Sequence, residues 1–484
     1  MQTNTDAMNF VEHTISDLQQ AVLRGDCTYL EITRLYLERI ATLDAVEHGI
    51  NAVLEINSDA LQIAEALDYE YRHQGLRGPL HGMPVLLKDN IDTGDKLHTS
   101  GGSRLLQDHY ATSDSAVATQ LRQAGAIILG KANMTEWANF IATDMPNGYS
   151  SRGGQVKNPY GAFDVGGSSA GSGAAVAANL ATFAVGTETS GSILSPSSQN
   201  CVVGIKPTVG LISRTGIIPI SHSQDTAGPM ARTVRDVAIA LGAMTSLDSR
   251  DVATNLNRGR THLDYTTFLD EGGLGGRRLG VPSKTHFDGL DAAWQHVMNE
   301  ALAALRSAGA TLVEIDLSVV SQLKDFNVLL YEFKPDLNAY LRPLDVRLPV
   351  HSLAEAIAAN ATQPDVMLKY GQAIFLQSEA TSGRLTEATY IQSRGRDLRL
   401  SREEGIDKEM KTHNLDAILF PANHGADIAA KAGYPSVCVP AGFAATGEPI
   451  GLTFTATAFS EPQLLRLAYA FEQWTKHRRP PQLK

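Results

Sequence analysis

Cysteine is scarce in this chain: Cys27, Cys201 and Cys438 stand far apart in 484 residues. An odd, widely spaced set excludes a disulfide framework and a thiolate metal cluster, and predicts reduced, buried thiols. None of the 14 histidines falls in a His-Glu-x-x-His arrangement, so no metal is implied. Basic runs are missing too. With 41 basic against 52 acidic residues, a formal net charge of -11, the chain offers no footprint for nucleic acid. No stretch of about 18 apolar residues occurs that would span a membrane. Met1 to Thr14 is polar, without a basic segment leading into an apolar one. A cytoplasmic protein without membrane contact is the expectation, unless a secretion signal was removed ahead of Met1. Oligomeric state is not legible.

What is present is apolar residue in quantity, 43% of the chain, enough to bury a large core. The first 75 residues read as a helical preamble. Thr28-Tyr29-Leu30-Glu31 has capping-box spacing, and Leu30, Ile32, Leu35, Leu37 and Ile40 follow at roughly helical intervals. From Leu80 the texture changes to short apolar runs punctuated by Gly and Pro, such as Met83 to Leu87 and Ala126 to Gly130. Alternating with helical stretches, these predict an α/β fold with a buried sheet wrapped in helices. Residues 331–400 read as a largely helical cap over a site. Strand-like runs return at Ala417 to Phe420 and Ser436 to Val439. The expected organisation is therefore one domain over residues 1–484: preamble 1–75, core 80–330, cap-like insertion 331–400 and return 415–475.

The chemistry concentrates between Val165 and Gly210. Gly166-Gly167-Ser168-Ser169-Ala170-Gly171-Ser172-Gly173 leads into the apolar Ala174 to Ala178, and Val185-Gly186-Thr187-Glu188-Thr189-Ser190-Gly191-Ser192-Ile193 follows. The order is loop, helix, strand, loop, so two serine-bearing turns at opposite ends of one helix–strand unit can converge in space. Small residues there predict close backbone approach, and glycines let backbone N–H groups turn toward a developing oxyanion.

This pair of loops resembles the amidase signature family. The likeness extends to Gly82-Met83-Pro84-Val85-Leu86-Leu87-Lys88-Asp89-Asn90, to Gly204-Ile205-Lys206-Pro207-Thr208-Val209-Gly210 and to Gln224-Asp225-Thr226-Ala227-Gly228-Pro229. Ala432-Gly433-Tyr434-Pro435 and Pro449-Ile450-Gly451-Leu452 resemble the family's closing segment. The resemblance implies a large mixed β-sheet covered by α-helices on both faces. It also implies hydrolysis of a carboxamide C–N bond without cofactor. Ser192 would be the nucleophile, Ser168 the bridging serine after a cis peptide at Gly167–Ser168, and Lys88 the general base. The backbone N–H groups of Thr189, Ser190, Gly191 and Ser192 would hold the oxyanion. Ser169, Thr187 and Gly167 would support the site, and Tyr434, with Tyr331, Phe333 and Tyr340, would line a substrate pocket.

Each role carries a physical demand. A serine hydroxyl needs an adjacent base, and a lysine near its usual pKa of about 10.4 is protonated at neutral pH. Burial among Met83, Val85, Leu86 and Leu87 would disfavour the ammonium, provided that Asp89 points away. Glu188 and Ser190 depart from the family's usual Asp and Gly, and Ser190 is acceptable only where positive φ is not required. The texture is nearest bacterial peptide amidases, which predicts a small-molecule or peptide amide as substrate. Competing readings are the amidase subunit of a tRNA-dependent amidotransferase, an esterase or carbamate hydrolase on the same scaffold, and a binding protein with a degenerate site. Gly167-Ser168-Ser169-Ala170-Gly171 also fits a nucleophile elbow, with Ser169 as nucleophile and Asp225 or Asp416 and His424 as partners. Ser321-Gln322-Leu323-Lys324 fits Ser-x-x-Lys, but lacks the companion motifs and reads as helix surface.

Overall fold

The computed structural model describes residues 10–483. The first nine residues of the polar N-terminal stretch lie outside them. Thirteen strands form among the described residues: β1 (Val53–Ile56), β2 (Pro84–Lys88), β3 (Ile127–Ala132), β4 (Tyr149–Ser150), β5 (Gly154–Gln155), β6 (Phe183–Glu188), β7 (Val203–Lys206), β8 (Thr226–Ala231), β9 (Arg278–Val281), β10 (Thr311–Glu314), β11 (Ala417–Pro421), β12 (Ser436–Phe443) and β13 (Pro449–Thr455). β4 and β5 make a small hairpin, and the other eleven form one sheet in the order β1-β3-β2-β6-β8-β7-β12-β13-β11-β9-β10. The sheet is mixed. β2 runs parallel to β3 and β6, and β9 runs parallel to β10 and β11, whereas the pairs at the centre are antiparallel. Every residue of β2, β3, β6, β8, β11 and β13 is buried. Because successive side chains of a strand point to opposite faces, both faces of the sheet are covered.

The capping box forms as read: Thr28 and Glu31 satisfy each other's backbone N–H at the start of helix Tyr29–Arg39. The helical preamble needs one correction, because β1 lies inside it. β1 has four half-exposed residues and joins the sheet edge antiparallel to β3. So short and half-exposed a segment leaves no clear period in the sequence. β9 and β10 were likewise not foreseen; the helix Ala292–Ser307 connects them as a parallel crossover.

The helix Ala170–Ala177 is made of Ala, Gly, Ser and Val and is buried throughout. A Cβ on Gly171 would lie 2.3 Å from the Asn133 carbonyl oxygen and 2.4 Å from that of Ala52. The small residues are thus the condition for laying this helix on the backbone between β1 and β3. A second apolar cluster sits apart from the sheet. The helices Asn327–Leu341, Leu353–Asn360 and Ala373–Glu379 contribute to it. Phe333 meets Phe140 edge-on at 5.0 Å between ring centroids, and Phe375 meets Trp137 at 5.6 Å. This cluster fastens the 331–400 segment to residues 137–145. Cys27, Cys201 and Cys438 are buried and unpaired. Among the described residues, no helix is long and apolar enough to cross a membrane.

Candidate active site

Lys88 is the last residue of β2 and is fully buried. β2 pairs with β6, which brings Lys88 to Thr187 and to the loop that opens the Ala170–Ala177 helix. Its Nζ lies 2.8 Å from Ser168 Oγ, 2.9 Å from Thr187 Oγ1 and 3.1 Å from the Thr187 carbonyl oxygen. Asn90 Nδ2 donates to the same Thr187 Oγ1 at 2.9 Å. Burial lowers the Lys88 pKa to about 7, although Glu188 and Asp225 pull it upward. Asp89 does point away: its carboxylate accepts from Ser100 Oγ and, at 3.0 Å, from the Gly102 amide. The Gly167–Ser168 peptide is cis. Ser168 is buried, and its carbonyl accepts from the Thr135 amide at 3.0 Å.

The second serine loop leaves β6 and is organised by Glu188, whose role the sequence did not disclose. Its buried carboxylate accepts the amides of Gly191 (2.7 Å), Ile193 (2.7 Å) and Leu194 (3.0 Å). One of the four amides expected at an oxyanion, that of Gly191, is therefore turned toward Glu188. The Ser190 and Ser192 amides donate to no group among the described residues. Gly191 takes a φ of 79°, whereas Ser190 stays outside the left-handed region, which is why a side chain is tolerated there. Asp225, which burial raises to about 6, accepts from Thr189 Oγ1 at 2.6 Å and from the Ile220 and Ser221 amides.

Ser192 is 9% exposed and borders a cavity of about 620 Å³. Its hydroxyl makes no hydrogen bond among the described residues, so the Lys88–Ser168 contact is the part of the expected relay already closed. The cavity lining includes the apolar side chains of Phe140, Leu323, Phe326, Leu329 and Ile374 and the polar ones of Ser190, Gln224, Asn423 and Asp427.

A chain with this fold and site has close relatives. The sequence profile described as Amidase matches residues 31–428. The chain belongs to the amidase signature family. The peptide amidase of Stenotrophomonas maltophilia is 43% identical and superposes with a TM-score of 0.91, covering 98% of this chain and 99% of that one. An amidase family protein from Bacillus anthracis is 39% identical with a TM-score of 0.92, over 98% and 93% of the two chains. The Arabidopsis thaliana protein named "Probable amidase" is 42% identical over 480 residues, 97% of this chain and 91% of its own length. This amidase is accordingly a hydrolase that acts on amides.

Several expected residues lie elsewhere in this amidase. Tyr434 does not border the cavity; its ring packs in a small cluster and under Arg402, and its hydroxyl donates to Asp407 at 3.0 Å. Phe333 stands behind the wall residue Phe140, and Tyr340 donates to Asp92 at 2.8 Å. Aromatic identity marked them, but packing needs aromatics as well. The elbow partners do not assemble around Ser169. Its hydroxyl contacts the Thr187 backbone, His424 stacks on Trp294, and Asp416 pairs with Arg277. Ser321 bonds the Ser318 carbonyl, while Lys324, expected on a helix surface, borders the cavity. His222, Glu332 and Asp336 have metal-ligand reach. They satisfy one another and Ser221, Ser223 and Tyr390, and so tie the 220–225 loop to the helix Asn327–Leu341.

Proposed function

We propose that this chain hydrolyses a carboxamide through Ser192, Ser168 and Lys88. The observation that carries this reading is the buried Lys88 Nζ, 2.8 Å from Ser168 Oγ. With its pKa lowered to about 7, a large fraction is neutral and able to accept a proton. Ser192 Oγ attacks the carbonyl carbon and passes its proton to Ser168 Oγ, as Ser168 passes its own to Lys88. The oxyanion forms beside the Ser190 and Ser192 amides, with Thr189 adjoining; such a donor contributes about 2.7–4 kcal/mol to the transition state. The proton then returns to the leaving nitrogen, ammonia or an amine departs, and water releases the acid from the acyl-enzyme. Ser169 and Thr187 support the loop, and Gly167 leaves room for Asn147. The helices of residues 331–400 act as the cap of a single amidase domain, and the apolar part of the cavity wall, to which they contribute Ile374, receives the acyl side of the substrate. Likeness to a peptide amidase supports a peptide amide as that substrate.

The test is ammonia and amine release from a panel of amides, anilides and esters. Ser192→Ala, Ser168→Ala and Lys88→Ala are expected to lower amide turnover by about 1000-fold or more, as for residues acting as a unit. Ser169→Ala should retain a substantial part. Loss confined to Ser169→Ala would replace this mechanism with an elbow hydrolase.

A further inference from the structure

Lys88 can serve as a base only if its lone pair faces Ser168, and three oxygens compete for its ammonium or amine hydrogens. We propose that Asn90 and Thr187 are positioning residues that aim the lone pair of neutral Lys88 at Ser168. The inference rests on the relay proposed above. The argument is a count of donors and acceptors. The Thr187 carbonyl, 3.1 Å from Nζ, can only accept, so it takes one N–H of Lys88. Thr187 Oγ1 receives an N–H from Asn90 at 2.9 Å and lies 2.9 Å from Nζ. With one lone pair of that hydroxyl held by Asn90, the other accepts the second N–H of Lys88. This assignment turns the Thr187 hydroxyl hydrogen away from Lys88; Asn90 and Thr187 both border a cavity of about 340 Å³. Both N–H bonds of a neutral amine are thereby assigned. The lone pair is left for the remaining neighbour, Ser168 Oγ at 2.8 Å.

Asn90 is 3% exposed; its amide nitrogen faces Thr187 Oγ1, and its Oδ1 has no partner among the described residues. The charged groups that bear on Lys88 are Glu188 and Asp225. Asp89, its chain neighbour, is turned to Ser100, Gly102 and Arg152.

Four variants test this on a primary amide, with kcat, KM and the pH profile measured for each. Thr187→Val and Asn90→Leu should lower kcat about tenfold to a hundredfold with KM nearly unchanged, because the aim of the base matters in the chemical step. Thr187→Ser, which keeps the hydroxyl, should restore most of that loss. Asn90→Asp places a carboxylate beside Thr187 and favours the ammonium form, moving the acid limb of the profile up by about one pH unit or more. The assignment is overturned by wild-type kcat in Thr187→Val and Asn90→Leu, by Thr187→Ser as impaired as Thr187→Val, or by an Asn90→Asp profile that does not move. Full activity in Lys88→Ala would instead overturn the relay itself.

Discussion

Lys88 has lost the hydration that its ammonium form requires, and neither Glu188 nor Asp225 touches it closely enough to replace that water. Two consequences follow at the scale of the residue. Turnover should fall about tenfold per unit as pH drops below about 7, where Lys88 takes up a proton, and a pH profile of kcat checks this. Stability reports the same shift in a higher pH window. Between about 7 and the unfolded lysine value of about 10.4, the unfolded chain binds more protons at position 88 than the folded one. Wild type should therefore gain stability relative to Lys88→Met as pH rises through that window; parallel melting curves at pH 7 and 10 would show a constant gap if the lysine were not depressed. Glu188 holds three amides of the nucleophile loop. Glu188→Gln keeps the shape but not the charge, and is expected to cost about 1–3 kcal/mol and to lower kcat more than it raises KM.

At the scale of the element, the helix Ala170–Ala177 shows why small residues cluster in the middle of the chain. Gly171→Ala would drive a methyl group into two backbone carbonyls that cannot move independently of the sheet. A loss of about 1–3 kcal/mol is expected, read as a lower denaturant midpoint at unchanged slope. The strands β2, β3, β11 and β12 are legible in the sequence because each carries an apolar run that survives as a pattern, whereas the equally buried β8 and β13 are interrupted by Gly, Pro or Thr. β1 and β10 are half-exposed edge strands with no such run. Their pairing with β3 and β9 is a tertiary choice that local propensity does not record.

Across the whole molecule, the cap is fastened to residues 137–145 through the Phe140–Phe333 and Trp137–Phe375 contacts. Phe333→Ala should remove about 3–5 kcal/mol of stability by leaving a cavity between the cap helices and residues 137–145. Amide turnover should fall with it, since Leu329, Ile374 and Phe140 frame the space above Ser192. The composition determined by itself that this chain folds around a large buried core and has too few, too widely spaced cysteines for a disulfide framework. Ordered motifs determined the family and the identity of Lys88, Ser168 and Ser192 as the residues to examine, because chemistry of this type demands particular atoms at the ends of particular strands. Only the tertiary structure decided which groups surround them. Asn90 meets Thr187, and Asp225 meets Thr189, across long sequence separations, Glu188 turns back on the amides of its own loop, and the Tyr434 ring packs under Arg402 rather than on the cavity. Residue type follows from local chemistry, whereas a side chain's partner depends on which surfaces the whole chain brings within about 3 Å.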